Sequence, residues 1–385
     1  MIDDDRQTLV SAARLVVVKV GSRVLTGPDG RLDEHRIEAL GRQFDTVMSA
    51  GKQVVLVSSG AVAAGMGRMG LDRRPQELAH LQAVAAIGQS CLIEAYERSL
   101  RGRGRHAAQL LLVAGDLQDR SRYLNIRNTL RSLLDYGAIP VINENDTVSV
   151  EELRTSFGDN DRLAALVATL LDAPLLVLLS DVDGLYDRHP AEPGAAIIPH
   201  VPRIDAAVES LARDRPGGLS KGGMASKIMA ARIVTEAGGS CIIAGGRDDH
   251  VLERICRGER VGTLFTGRGA PMTAWKRWLA WPADARGTLV VDDGARTAVV
   301  GRGRSLLAAG ITDVSGGFAA GDVVSLVGPD GEPFARGLVN YAAAEVRQIA
   351  GMRTERIADL LGYCPYDEVV HRDNLALLCR ETTPS

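Results

Sequence analysis

Lysine is nearly missing from this chain. Of its 45 basic residues only five are lysine (Lys19, Lys52, Lys221, Lys227 and Lys276), and the other 40 are arginine. Biased composition accounts for the ratio but not for where the five sit. Net positive charge is missing too: a formal charge of −3 excludes a protein whose affinity rests mainly on neutralising phosphate backbones. The five cysteines (91, 241, 256, 364 and 379) form no CxxC pair and show no metal-ligand spacing with the seven histidines. That pattern reads as reduced thiols in a cytoplasmic protein, not as a disulfide framework or a soft-ligand metal cage. No run of 18 apolar residues occurs; the best candidate, 163–179, is interrupted by Asp172 and Pro174. The opening Met1-Ile2-Asp3-Asp4-Asp5 is acidic and lacks the basic-then-apolar order of a secretory signal.

What is present is enough chain, 385 residues of ordinary globular composition, for two domains. Up to about residue 268 one theme repeats: a short apolar run, then small or polar residues, then a helical pattern. The runs are 15–20 ending in Gly21-Ser22, 53–57 ending in Ser58-Ser59-Gly60, and 109–113 ending in Ala114-Gly115-Asp116. They continue with 139–142 ending in Asn143-Glu144-Asn145-Asp146, 175–179 ending in Ser180-Asp181, and 241–244 ending in Gly245-Gly246. Unbroken Val/Ile/Leu runs mark strands buried on both faces, hence a mainly parallel sheet. Periodic stretches at 34–49, 77–100, 162–171 and 224–237 predict the covering helices, so the fold class is α/β. In such sheets ligands bind at the carboxyl ends of the strands, where this chain places its Gly, Ser, Asn and Asp residues.

From about 270 the texture changes. Trp275, Trp278 and Trp281 fall on one side of a short helix, as a packed inter-domain connector or as a base-stacking surface. Beyond Gly287, short runs at 288–291, 298–300, 323–327 and 334–339, broken by Gly, Asp and Pro, predict a small β-rich domain.

Five segments could carry chemistry. Lys19 stands in an apolar strand and is followed by Gly21, so it either meets an anion or reaches solvent at the strand end. The small residues of Ser58-Ser59-Gly60-Ala61-Val62-Ala63-Ala64-Gly65 either open a helix N-terminus to an anionic ligand or serve close packing. Asn143-Glu144-Asn145-Asp146 and Phe157-Gly158-Asp159-Asn160-Asp161 concentrate carboxylates and carboxamides suited to an α-amino group, to Mg²⁺, or to both. An Asx turn with an N-cap would explain Asp159 or Asp161 but not the whole cluster. Finally, the stretch 217–227, with Lys221 and Lys227 flanking Gly222-Gly223-Met224-Ala225-Ser226, leads into a helix. It is either a phosphate cradle, though not a Walker A sequence, or a surface loop.

Taken together, these motifs occur in the order and spacing of the glutamate 5-kinases, a family within the amino acid kinase superfamily. The resemblance runs on through Val261-Gly262-Thr263-Leu264-Phe265 to a C-terminal PUA domain, and so covers nearly the whole chain. It implies a three-layer αβα sandwich over 1–268, a linker over 269–286 and a PUA domain over 287–378. The implied reaction is phosphorylation of the γ-carboxylate of L-glutamate by ATP with Mg²⁺, the first step of proline biosynthesis. Lys19, Lys227 and Asp161 take catalytic roles, the lysines neutralising phosphoryl charge and Asp161 holding them by ion pairing. Ser59, Gly60, Asn143, Asp146 and Asn160 take glutamate. Lys19, Gly21, Ser180, Asp181, Lys221, Gly222, Gly223, Met224, Ala225, Ser226 and Lys227 take ATP, and Mg²⁺ is held through the phosphates with no metal site made by protein alone. The chain departs from the family at Ser220-Lys221, where Gly-Thr is usual before Gly-Gly-Met. The resemblance also implies a homodimer or homotetramer, feedback inhibition by proline and functional coupling to glutamyl phosphate reductase. Two rivals remain: an amino acid kinase acting on a different carboxylate, and RNA binding through the PUA domain. Residues 287–385 hold nine Arg, no Lys and 13 Asp or Glu, a poor footprint for RNA, so a regulatory or structural role is expected of that domain.

Overall fold

The computed structural model describes residues 2–148, 159–212, 223–267 and 273–378. The chain divides into two compact units, Met1–Asp116 with Ser121–Ala270, and Leu117–Arg120 with Pro271–Ser385. In the first unit, eight strands form one sheet: β1 (Leu15–Val20), β2 (Gln53–Ser58), β3 (Ala107–Leu112), β4 (Ile139–Glu144), β5 (Leu175–Ser180), β6 (His200–Val201), β7 (Ser240–Gly245) and β8 (Thr263–Thr266). Their order is β3-β4-β2-β1-β5-β7-β8-β6, and every neighbouring pair is parallel except β7 with β8. The six apolar runs are all strands of this sheet. The two-residue β6 and the short β8 carry too little pattern to read.

Parallel pairing needs a crossover between strands, and helices supply it. The helix Glu34–Ser49 starts at Asp33, whose side chain accepts from the Arg36 amide. Leu78–Arg101 and Ala61–Met69 pack against each other through glycine. A Cβ on Gly88 would lie 1.7 Å from the Ala61 carbonyl oxygen, and one on Gly65 would lie 1.9 Å from that of Val84. Half of the small-residue motif is therefore packing. Lys52, at the start of the run into β2, donates through Nζ to the carbonyls of Val10 (2.8 Å), Ser11 (3.3 Å) and Ala13 (2.7 Å). It satisfies the end of the helix Ile2–Ala12, whose last carbonyls have no helical partner.

Register decides where the polar strand ends fall. Val20 lies opposite Ser58, Leu112 opposite Glu144, and Ser180 opposite Gly245, so the segments after β1, β2, β4, β5 and β7 share one rim. Lys19, between Val57 and Leu178, is one residue short of that rim.

The second unit has its own sheet of five strands: β9 (Gly287–Val291), β10 (Ile311–Gly316), β11 (Val323–Val327), β12 (Pro333–Val339) and β13 (Val370–Leu377), in the order β10-β9-β11-β12-β13. Its core gathers Leu289, Val324, Leu326, Ala335, Val346 and Ile357. The run 298–300 is not a strand: it lies in the helix Asp293–Arg302, capped at one end by the Asp292 side chain and closed at the other by left-handed Gly303. Cap residues at the two ends outweigh a β-branched pair between them. The helix Ala274–Ala280 packs on β12 and β13, with Trp275 Nε1 3.2 Å from Asn374 Oδ1 and Lys276 Nζ 3.2 Å from the Arg372 carbonyl. Trp275 and Trp278 stack at 5.3 Å, Arg120 covers both rings, and Trp278 donates to the Leu117 carbonyl. Trp278 is buried; it stacks on protein and offers no base-stacking surface.

Replacing Gly88 by Ala should lower unfolding free energy by about 3 kcal/mol, since the Ala61 backbone cannot yield. Gly102→Ala, where a Cβ meets nothing within 4 Å, should stay within about 0.5 kcal/mol of the parent. Denaturant titration of the two variants checks the contrast.

Candidate active site

The rim and the helices that reach it bring together most of the residues singled out in the sequence. Strand alternation turns Lys19 away from Val18 and Val20, towards the helix Asp159–Leu171. Its Nζ meets Asp161 Oδ1 at 2.6 Å. Lys227, one turn into the helix Gly223–Glu236, meets Asp161 Oδ2 at 3.2 Å and donates to the Gly223 carbonyl at 3.0 Å. All three side chains are at least nine-tenths buried. Two ammonium groups share one carboxylate, which leaves one buried positive charge unbalanced within the triad. Burial alone would raise the Asp161 carboxyl, but the charges and hydrogen bonds of Lys19 and Lys227 overcome it and hold the group below the ordinary carboxylate value.

Asn160 joins this triad to a second cluster. Its Nδ2 donates to Ser59 Oγ (2.9 Å) and Asn143 Oδ1 (3.0 Å), and Asn143 Oδ1 also accepts from the Glu144 amide. Asn160 Oδ1 is buried and accepts no hydrogen bond among the described residues. Gly60 stands at φ +107°, a conformation side chains resist, and starts the helix Ala61–Met69. Asp146 is buried in the turn after β4. Ser58, by contrast, points into the core, 3.0 Å from the Tyr96 hydroxyl.

At the rim of β5, Ser180 donates to Asp181 Oδ1 (3.0 Å), and Arg23 NH1 reaches Asp181 Oδ2 at 2.8 Å. Burial opposes the charge on Asp181, but Arg23 and Ser180 outweigh it and lower that carboxyl. Gly21 lies beside the triad: a Cβ there would stand 3.7 Å from Lys19 Nζ. Gly223, Met224, Ala225 and Ser226 form the first turn of the helix carrying Lys227. Lys221 and Gly222 lie outside the described residues, as do Phe157 and Gly158. Nothing in the sequence marks Arg23, since one arginine among 40 carries no signal. Among the described residues no group of three His, Cys, Asp or Glu side chains is placed to hold a metal ion, and no helix is long and apolar enough to cross a membrane.

The amino acid kinase family matches residues 14–245, and the PUA domain matches residues 287–361. The class is thus that of the amino acid kinases. A glutamate 5-kinase of Rhodopirellula baltica is 49% identical over 372 residues, covering 97% of this chain and 96% of the relative. Another, of Pseudomonas fluorescens, is 48% identical over 370 residues, covering 96% and 99%. A third, of Thioalkalivibrio sulfidiphilus, is 47% identical over 374 residues, covering 97% and 99%. The chain belongs to the glutamate 5-kinase family.

Asp161→Asn should lower stability by about 3–5 kcal/mol at neutral pH, because it leaves two buried ammonium groups without a counter-charge. The sign with pH follows from the lowered carboxyl. Its contribution is fully present above the ordinary value of 3.8 and is lost as pH falls towards the lower folded value, so the gap between variant and parent in urea titrations should narrow progressively below pH 3.8.

Glu236, at the end of the Lys227 helix, behaves oppositely: burial, only partly offset by Arg232, raises its carboxyl to about 7. The folded chain then binds a proton that the unfolded chain releases above 4.5, which costs stability as pH rises. Glu236→Gln should therefore raise unfolding free energy by about 2 kcal/mol at pH 8 and leave it unchanged at pH 4.

Proposed function

We propose that this protein is a cytoplasmic enzyme that transfers the γ-phosphoryl group of ATP to the γ-carboxylate of L-glutamate, giving ADP and L-glutamyl 5-phosphate, the first step of proline biosynthesis. The observation that carries this reading is the buried triad of Lys19, Asp161 and Lys227 with its unbalanced positive charge, set beside an Asn160 oxygen that lacks a donor among the described residues. A site with one surplus cation fits a transferring phosphoryl group, and an unsatisfied acceptor fits an ammonium group.

Lys19 bridges the acceptor carboxylate and the phosphoryl group, and Lys227 neutralises charge on the nucleotide side. Asp161 is not a base, because a carboxylate nucleophile is already ionised at neutral pH; it fixes the two lysines. Asp146 faces the glutamate ammonium group, and Ser59, Gly60, Asn143 and Asn160 complete that subsite. Gly21, Ser180, Asp181 and the segment Lys221, Gly222, Gly223, Met224, Ala225 and Ser226 hold ATP, with the backbone amides of the first turn directed at the phosphates. Bound through those phosphates, Mg²⁺ supplies further charge neutralisation. Residues 1–268 make up the catalytic domain, 269–286 a linker and 287–378 a PUA domain of regulatory or structural role. The protein acts as a homodimer or homotetramer, is inhibited by proline at or near the glutamate site, and passes its reactive acyl phosphate to glutamyl phosphate reductase.

Hydroxylamine traps acyl phosphates, so ATP- and glutamate-dependent hydroxamate should form; its absence with glutamate overturns the reading. Lys19→Arg and Lys227→Arg should each lower kcat about 100-fold in the same assay, since guanidinium is broader and differently directed than ammonium.

A further inference from the structure

Arg23 has no place in the roles above, yet it holds one of their groups. It lies in the short helix Ser22–Leu25 that follows β1, and its guanidinium crosses to Asp181, just past β5, at 2.8 Å. Asp181 is thereby held on both oxygens, by Arg23 on Oδ2 and by Ser180 on Oδ1. The backbone of Arg23 is fixed as well. Arg247, beyond β7, donates through NH2 to the Arg23 carbonyl at 3.1 Å. Arg36 in turn binds the Arg247 carbonyl and Asp249, each at 2.6 Å. Sterics add to this: a Cβ on Gly246 would lie 2.8 Å from both methyl groups of Val24, so the segment after β7 presses directly on the helix that carries Arg23. Ser180 closes the loop, its carbonyl accepting from the Gly246 amide at 2.7 Å.

Three rim segments, after β1, β5 and β7, are therefore tied into one polar frame around a single carboxylate. The frame is not explained by stability. The Arg23 side chain is 63% exposed and that of Asp181 35% exposed, and ion pairs this open to water contribute little to folding. What the arrangement does is fix the direction of a carboxylate at the strand ends.

We propose that Arg23 is a nucleotide-positioning residue: it orients the Asp181 carboxylate so that its remaining lone pairs accept from hydroxyl or amino donors of the bound nucleotide. The inference rests on the kinase reading given above, and it deepens the nucleotide half of that site. Arg23 acts through Asp181 and does not touch the transferring phosphoryl group, since its NH1 is committed to the carboxylate and Lys19 and Lys227 already stand at the phosphoryl position. Loss of Arg23 then weakens nucleotide affinity without slowing the chemistry once ATP saturates.

The test is a double-mutant cycle with Arg23→Ala, Asp181→Asn and both together. It is read by calorimetric binding of a non-hydrolysable ATP analogue and by KM and kcat in the hydroxamate assay. Arg23→Ala should weaken analogue binding and raise KM for ATP about fivefold to tenfold, and adding it to Asp181→Asn should cost nothing more. KM for glutamate and kcat at saturating ATP should stay within about twofold of the parent, and Arg23→Lys should recover part of the loss. Unchanged analogue binding in Arg23→Ala, losses that multiply in the double variant, or a fall in kcat at saturating ATP each overturns the proposal. A parent protein that binds the analogue but forms no hydroxamate with glutamate would sink the functional reading and leave the binding cycle to decide the role of Arg23.

Discussion

One carboxylate shared by two ammonium groups organises the first unit. Asp161 cannot be buried unless it is paired, and neither can Lys19 or Lys227. Each comes from a different element: the end of β1, the start of the helix Asp159–Leu171 and the first turn beyond the start of Gly223–Glu236. Their meeting fixes the positions of two helix N-termini against one strand end. Both N-termini point positive partial charge towards the same place as the surplus ammonium charge. The cost of gathering like charges is met by the rest of the sheet, whose central strands are buried along nearly their whole length. The core thus supports a locally unfavourable electrostatic arrangement.

Much of this could be read from the chain before the fold was known. Continuous apolar runs gave the parallel strands because burial on both faces removes the need for alternation. The polar strand ends pointed to one rim because parallel strands all finish at the same edge. Where the reading fell short, a competing effect can be named. Ser58 and Gly65 belong to packing, as their motif allowed, while Ser59 and Gly60 stand at the rim, Ser59 beside Asn160; sequence alone cannot divide one motif between two purposes. The run at 298–300 reads locally as a strand because it is apolar and β-branched, but Asp292 and Gly303 at its flanks make it a helix. Arg23 was invisible for a different reason: its significance lies in a carboxylate 158 residues away, and nothing local marks it.

The second unit obeys a different logic. Its strands are short and its sheet mixes parallel and antiparallel pairs, so its sequence alternates weakly and is punctuated by turn residues. Its helix Ala274–Ala280 presents two stacked tryptophans to neighbouring protein groups, with indole nitrogens bonded to Asn374 and to the Leu117 carbonyl. Buried indole needs such partners; Trp275 and Trp278 have them, whereas Trp281 Nε1 is buried without one among the described residues.

The contact made by Lys52 bears on how such a chain diverges. Three carbonyls converge on one nitrogen within 3.3 Å, a geometry that three tetrahedrally arranged protons can meet and a flat guanidinium cannot. Lys19, Lys227 and Lys276 likewise end on a carboxylate or a carbonyl. Four of the five lysines therefore end as compact point charges on oxygen atoms, contacts that the broader, planar guanidinium of arginine does not reproduce in the same geometry.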